Sequence, residues 1–189
     1  MSLFYTILIN ILCSIVASFL FLFIVLYSLR PKISISSIIS KQKNSFDEGF
    51  DFTYAFKIIN QSVFSGFDVQ LELFSLQQYR VEAKGINNRI KSIPLKISEI
   101  KHLPPYVRTK TCNKTSFAPH AVMFRTNENL EEIVKNESKT LQLQITLRHG
   151  LTGLSRVYQK DYINLDDIKL GEFRFGNSLE IKVSKNLYN

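Results

Sequence analysis

A long apolar stretch opens the sequence, and no charged side chain occurs in it from Met1 to Leu29. About 20 apolar residues are enough to cross the hydrocarbon core of a bilayer, and a longer run is accommodated by tilting. Tyr5 and Tyr27 lie near the two ends of the stretch, where amphipathic aromatic rings favour the membrane interface. The pattern therefore predicts a transmembrane helix over residues 3–29.

A cleaved signal peptide is the competing interpretation of this stretch. No Lys or Arg precedes the apolar run, and no small-x-small cleavage site follows it. The apolar region of a signal peptide is also shorter, at about 7 to 15 residues. These differences favour a retained anchor.

Basic side chains follow the apolar stretch and none precedes it. Arg30, Lys32, Lys41 and Lys43 all lie on its C-terminal side. Because positively charged flanks resist translocation, we expect a single-pass protein of the cell membrane with its N-terminus outside and its C-terminal domain in the cytosol.

The sequence also contains three N-x-S/T sequons, at Asn60, Asn113 and Asn136. Such sequons are glycosylated in secreted proteins and extracellular domains. In a cytosolic domain they would be chance matches that carry no glycan.

One face of the predicted helix is polar. Thr6, Asn10, Ser14 and Ser18 recur every four residues, which stacks them on one side of a helix. Small and polar faces favour close packing and hydrogen bonding between membrane helices. We therefore predict self-association or pairing with another membrane protein. The alternative is that the hydroxyls bond back to their own helix.

The rest of the chain alternates between apolar and polar residues with a period of two, which is typical of half-buried β-strands. The clearest stretches are 52–58, 67–73, 141–148 and 179–183, and shorter ones are 33–39, 93–97, 121–124 and 154–158. Only 129–135 is typical of a short helical turn. Many short strands separated by turn residues predict a mainly β, antiparallel sandwich.

The predicted organisation therefore has three parts. Residues 3–29 form the transmembrane helix, residues 30–45 a basic juxtamembrane segment with the first strand, and residues 46–189 a β-sandwich whose core covers about residues 33–185. About 150 residues are enough for one domain with a full hydrophobic core.

The formal net charge of +8 resides entirely in the part of the chain that follows the helix. A basic surface attracts anionic lipid headgroups or nucleic acid, and beside a membrane anchor we expect lipid rather than nucleic acid. Arg30, Lys32, Lys41 and Lys43 are the candidate lipid-binding residues, at about 1 kcal/mol per well-placed charge. The alternative is that they serve only to orient the helix.

Neither catalytic nor metal-binding spacing is present. Gly-rich phosphate loops and a nucleophile elbow are absent, and the thiols and imidazoles are scattered at Cys13, Cys112, His102, His120 and His149. Zinc sites need closely spaced ligand pairs. We therefore expect neither an enzyme, nor a metal, nor a cofactor.

Four stretches form an ordered pattern. They are Arg30-Pro31-Lys32 after the helix, Phe56-Lys-Ile-Ile-Asn60 with Asp68-Val-Gln-Leu-Glu-Leu73, Leu103-Pro-Pro-Tyr106, and a closing segment with Thr152-Gly153, Tyr162, Asp167-Ile168, Gly171 and Phe175. In this order they resemble the cytoplasmic domain of inward-rectifier potassium channels, including the bacterial ones, over roughly residues 29–185. The resemblance implies an immunoglobulin-like sandwich of the E-set type and a helix whose C-terminus is cytosolic.

The chain departs from that family where potassium is conducted. It has no Thr-x-Gly-Tyr/Phe-Gly filter, whose carbonyls replace the water shell of the ion, and no second apolar run. Ile33 also replaces the second Lys of the basic motif of the family. We therefore expect a pore-less regulatory or accessory protein that contacts lipids and proteins. The alternatives are a membrane-anchored adaptor unrelated to ion transport and a truncated channel.

Overall fold

The computed structural model describes residues 3–43, 49–81, 85–107, 118–135 and 139–182. The chain divides into two compact units, Met1–Arg30 and Pro31–Asn189. The first unit contains helix α1 (Leu3–Ser28), and the second is mainly β. The prediction of an N-terminal apolar helix followed by a β-rich domain is confirmed at this level.

Helix α1 is long and apolar enough to cross a membrane by its length and composition, and none of its membrane-length window is buried inside the protein. Its large apolar side chains, such as Phe19 and Phe21, are therefore exposed. Lipid or another protein would cover such a surface, because water-exposed apolar area on this scale is unfavourable.

The described part of the second unit contains twelve strands and one short α-helix. They are β1 (Ile33–Ile35), β2 (Ile39–Lys43), β3 (Phe52–Asn60), β4 (Gly66–Val81), β5 (Gly85–Ile93), β6 (Glu99–Leu103), β7 (Ala121–Thr126), α2 (Leu130–Lys135), β8 (Lys139–His149), β9 (Ser155–Tyr162), β10 (Ile168–Leu170), β11 (Glu172–Phe173) and β12 (Ile181–Lys182). A 3₁₀ turn, Leu165–Asp167, precedes β10.

The first sheet is arranged around β3. Strand β7 pairs along one edge of β3, so β1 and β2, which pair with its two ends, lie in succession along the other edge. Strand β10 adds to β2 in parallel. The sheet is therefore mixed, whereas the sequence pattern predicted a purely antiparallel one.

The second sheet is arranged around β4. Strand β8 pairs along one edge, and β5 and β6 occupy the other edge in succession. Strand β9 completes the sheet beyond β8. Strands β11 and β12 form a separate pair.

The two sheets share one hydrophobic core. Alternate residues of β8, such as Leu143 and Ile145, are fully buried, as a half-buried strand requires. The rings of Phe56 in the first sheet and Tyr162 in the second have centroids 5.7 Å apart, and the Tyr162 hydroxyl donates to the Ser36 carbonyl oxygen at 2.8 Å.

Several strand predictions were wrong in detail. The predicted strand over 33–39 is two strands, β1 and β2, which are separated by residues 36–38. The prediction over 93–97 fails because β5 ends at Ile93, immediately before Pro94, which has no N–H to donate. Of the prediction over 179–183, the structure shows β12, and Val183 lies outside the described residues.

Candidate functional site at the entrance to the β domain

The chain enters the β domain at Pro31, which is buried. Its carbonyl oxygen accepts a hydrogen bond from the Tyr158 hydroxyl of β9, and Arg156 Nη1 approaches the same oxygen at 3.5 Å. Burial raises the pKa of Tyr158, so its hydroxyl keeps the proton that it donates. Pro31, the first residue of the domain, is thus hydrogen bonded to the second sheet.

Lys32, the next residue, is hydrogen bonded to the turn that follows β3. The backbone N–H of Lys32 donates to Ser62 Oγ at 2.6 Å, and the Lys32 carbonyl oxygen accepts from the backbone N–H of Gln61 at 2.8 Å. The Lys32 side chain is exposed. We call Pro31, Lys32, Gln61, Ser62 and Tyr158 the entry clamp.

Asn60 shapes the turn that carries the clamp. Its side chain is fully buried; Nδ2 donates to the carbonyl oxygens of Phe64 and Pro104 at 3.1 and 2.8 Å, and Oδ1 accepts from the Ser62 backbone N–H at 2.9 Å. An amide committed in this way is structural, so this sequon is not presented to solvent. Asn113 and Asn136 lie outside the described residues.

Within the second unit, the structure does not gather the predicted lipid-binding residues Lys32, Lys41 and Lys43 into one site. Lys41 Nζ binds Glu131 Oε1 at 2.8 Å and lies 4.2 Å from the ring centroid of Phe52, so its charge is compensated within the domain. Lys43 pairs with Phe52, at the end of β3 that is farther from the entry clamp. Arg30 is exposed in the first unit, where its guanidinium lies over the ring of Tyr27.

The predicted polar helix face is partly satisfied by the helix itself. Ser14 Oγ donates to the Asn10 carbonyl oxygen at 2.9 Å, and Ser18 Oγ donates to the Ser14 carbonyl oxygen at 2.8 Å. These two hydroxyls bond back to the preceding turn, which leaves Thr6 and Asn10 as the polar groups without a side-chain bond in the described residues. Asn10 offers more hydrogen-bonding groups than Thr6, because its amide has both donors and an acceptor.

The least expected polar residue is Lys57, which lies on β3 and is only 3% exposed. Its ammonium donates to the carbonyl oxygens of Arg174, Gly176 and Ser178 at 2.7, 2.8 and 2.7 Å. Three N–H donors thus meet three acceptors without a carboxylate. The contact fastens residues 174–178 onto the outer face of the first sheet.

The same segment also fixes His120, which is fully buried. Asn177 Oδ1 is hydrogen bonded to His120 Nε2, and Asn177 Nδ2 lies 3.3 Å from the Tyr106 hydroxyl. The imidazole also packs edge-on against the Tyr106 ring at 5.0 Å. His120 is therefore a packed structural residue.

Metal ligands do not converge in the described residues, where no group of three or more His, Cys, Asp or Glu side chains is close enough to hold an ion. His149 Nδ1 lies 3.1 Å from Thr152 Oγ1, and His102 packs on Phe67 at 5.1 Å. Cys112 lies outside the described residues.

Comparison with known proteins adds little to this geometry. No protein-family model matches the sequence, and no curated protein is similar to it. Among solved structures, the X-ray structure of Northeast Structural Genomics Consortium target SoR45 is 9% identical, covers 70% of this chain and 83% of that chain, and has a TM-score of 0.34. At that TM-score the likeness carries no argument about fold or function.

The Lys57 contact makes stability depend on pH. Burial lowers the pKa of Lys57 from 10.5 to about 8, so between these values the unfolded chain binds more protons and the folded state gains stability as the pH rises. From pH 7 to pH 9.5 the free energy of unfolding should rise by about 1 to 2 kcal/mol more in the parent chain than in Lys57→Met. Denaturant unfolding followed by circular dichroism measures this.

Ile59→Val is the control, because it changes a neighbouring residue of β3 without removing a titratable group. Its deficit in stability should be the same at both pH values. A deficit of Lys57→Met that does not grow with pH would show that the ammonium is not desolvated in the folded protein.

Proposed function

We propose that this chain is a pore-less, membrane-anchored regulatory or accessory protein that acts through contacts with proteins and anionic lipids. Its β domain would be an immunoglobulin-like, E-set sandwich similar to the cytoplasmic domain of inward-rectifier potassium channels. The observation that carries the proposal is the entry clamp, because hydrogen bonds to β9 and to the turn after β3 fix the first residues of the β domain directly after an apolar helix.

The short connection is what a regulatory role needs. Helix α1 ends at Ser28, and the clamp begins at Pro31, so only Leu29 and Arg30 lie between them. In the proposed role, a displacement of the helix by a partner would have to reach the β domain through these two residues, whereas a long flexible linker would absorb it as conformational freedom.

The residues behind the channel likeness hold structural positions, which supports the proposal. Phe56 and Asn60 of the Phe-Lys-Ile-Ile-Asn stretch are fully buried, Lys57 binds three carbonyl oxygens, and Pro31 and Lys32 of the basic motif form the clamp. A matching residue with a required structural role is a stronger correspondence than a chance identity at the surface.

Lipid contact is assigned to a smaller set than the sequence indicated. Arg30 and Lys32 adjoin the apolar helix and are exposed, and Lys43 is exposed at the end of β2. Lys41 is left out because Glu131 already neutralises it. Anionic headgroups attract such cations over roughly a Debye length, about 8 Å at physiological salt.

A membrane-anchored adaptor is the second candidate function. It is favoured by three exposed apolar side chains where β8 turns into β9, namely Leu151, Leu154 and Val157, which are 58%, 55% and 52% exposed. Neighbouring apolar side chains left in solvent are typical of protein-binding surfaces. Such an adaptor would need the anchor but no relation to ion transport.

The first test is topology. In a chain with Cys13→Ser and Cys112→Ser, a cysteine introduced as Asn189→Cys should be shielded from an impermeant thiol reagent in intact cells, because basic residues keep the C-terminal side in the cytosol. Ser2→Cys is the matched control and should be labelled readily. The reverse labelling pattern would contradict the cytosolic assignment.

The second test is self-association through the helix. Asn10→Leu should weaken the oligomer by about 0.6 kcal/mol and by at most about 2 kcal/mol, as expected for an interhelical hydrogen bond in lipid. Ser14→Ala should change it less, because Ser14 Oγ already bonds within its own helix. Light scattering of the detergent-solubilised chain measures the mass after the detergent is subtracted.

A strict monomer across a wide concentration range would defeat self-association. The helix would then be expected to pair with another membrane protein. Equal losses for Asn10→Leu and Ser14→Ala would show that the polar face does not act through the Asn10 amide.

A further inference from the structure

A pocket of about 500 Å³ lies beneath the hairpin formed by β4 and β5. Arg89 and Lys91 of β5 and Lys139 of β8 line it, and Glu128, just before α2, lines the other side. Sequence reasoning did not single out these cations, because they lie far apart in the chain and follow no recognisable motif.

The strand register brings the three cations onto one face. Gln77 of β4 is paired with Arg89 on one side and with Lys139 on the other, and Ser75 is paired with Lys91. Directly paired residues, and residues two apart on one strand, point to the same face of a sheet. All five side chains therefore share a face.

This face is the continuation of the hydrophobic core. Leu73, Ile93 and Leu143 form one row across β4, β5 and β8 and are buried. Farther along the strands the same face carries Arg89 and Lys139. With strands about 4.8 Å apart and alternate residues about 7 Å apart, the three cationic side chains can reach one small anion.

Among the described residues, the positive charge of the pocket is not neutralised. Arg89, Lys91 and Lys139 form no ion pair with a carboxylate of the described residues. Glu128 is the one acidic side chain among the described lining residues. Three cations against one carboxylate leave a local charge of about +2, which suits a doubly charged anion.

Neutral donors line the same pocket. Ser75 is only 6% exposed, and neither its hydroxyl nor the Gln77 amide makes a side-chain hydrogen bond within the described residues. Both groups can donate to an anion placed among the three cations.

We propose that this pocket binds a phosphate-bearing anion. A phosphate monoester carries a charge of about −1.5 to −2 at neutral pH and offers three acceptor oxygens. The fork of an arginine matches phosphate oxygens with two parallel hydrogen bonds, a role that falls to Arg89, while Lys91 and Lys139 supply point charges. This assignment does not depend on the channel likeness.

The phosphate can come from a lipid headgroup or from a soluble polyphosphate. Inorganic tripolyphosphate is the probe for the shared chemistry, titrated by calorimetry into the full chain held in phosphatidylcholine nanodiscs. Nanodiscs that also contain phosphatidylinositol bisphosphate distinguish the sources. A lipid headgroup in the pocket would weaken tripolyphosphate binding there, and a soluble ligand would leave it unchanged.

Arg89→Gln and Lys139→Gln should each weaken tripolyphosphate binding by about tenfold, because each removes a charge-assisted contact. Arg80→Gln is the matched control. Arg80 lies on the same hairpin, paired with Ile86, but points to the opposite face. The dissociation constant of the Arg80→Gln variant for tripolyphosphate should therefore stay within about twofold of that of the parent chain. Arg89→Lys should be intermediate because it keeps the charge and loses the fork.

Circular dichroism establishes that each variant retains its fold before binding is compared. Equal weakening by Arg80→Gln and Arg89→Gln would overturn the proposal, since general surface charge would then explain the binding. The absence of saturable binding to the parent chain up to millimolar tripolyphosphate would overturn it as well.

Discussion

The structure depends first on one backbone carbonyl group, that of Pro31. Proline disfavours helical backbone in the residue before it and has no N–H of its own, so the apolar helix ends before Pro31. Because Pro31 is buried, its carbonyl oxygen needs a hydrogen-bond donor. Tyr158 supplies that donor from the second sheet, while Ser62 and Gln61 hold the following residue from the turn after β3. The pairing of β1 with the end of β3 begins directly after this point. Each such hydrogen bond contributes only about 1 kcal/mol net, but together they fix where the domain begins.

Buried polar groups give the domain its particular shape, since the apolar core alone would accept many arrangements of the same strands. Lys57 and Asn60 lie on the central strand of the first sheet, and each binds carbonyl oxygens of distant segments. An unpaired ammonium in such a place would be strongly destabilising. The arrangement of residues 174–178 around Lys57 is therefore tied to the position of β3. The same reasoning separates structural charges from those free to act: Lys41 and Lys57 are committed within the domain, whereas Lys32, Arg89 and Lys139 form no ion pair with the described carboxylates.

The elements that the sequence predicted well are those whose patterns are local. Helix α1 follows from an uninterrupted apolar run, and β3 and β8 follow from strict alternation. Strand β5 was missed because its apolar residues, Ile86, Ile90 and Ile93, do not alternate regularly with polar ones, and eight of its nine residues are exposed. The parallel pairing of β10 with β2 joins residues far apart in the chain and leaves no local pattern. For the same reason the sequence did not reveal that Lys41 is paired with Glu131, which is 90 residues away; the lipid-site prediction itself stays a prediction. The phosphate pocket was not predicted because its lining residues are far apart in the chain and are brought together only by the pairing of β4 with β5 and β8.

The hydrogen bonds of the entry clamp hold the backbone at Lys32 within the β domain, and the mobility of residue 32 tests this directly. A nitroxide attached through Lys32→Cys, in a chain with Cys13→Ser and Cys112→Ser reconstituted in lipid, reports motion at an exposed side chain whose backbone is hydrogen bonded. We expect an immobilised paramagnetic resonance spectrum in the parent chain and a more mobile one after Tyr158→Phe. Tyr79→Phe, which removes a hydroxyl from an exposed tyrosine of the β4–β5 hairpin, should leave the spectrum unchanged. A parent spectrum as mobile as that of an unstructured peptide would show that the clamp does not hold this segment.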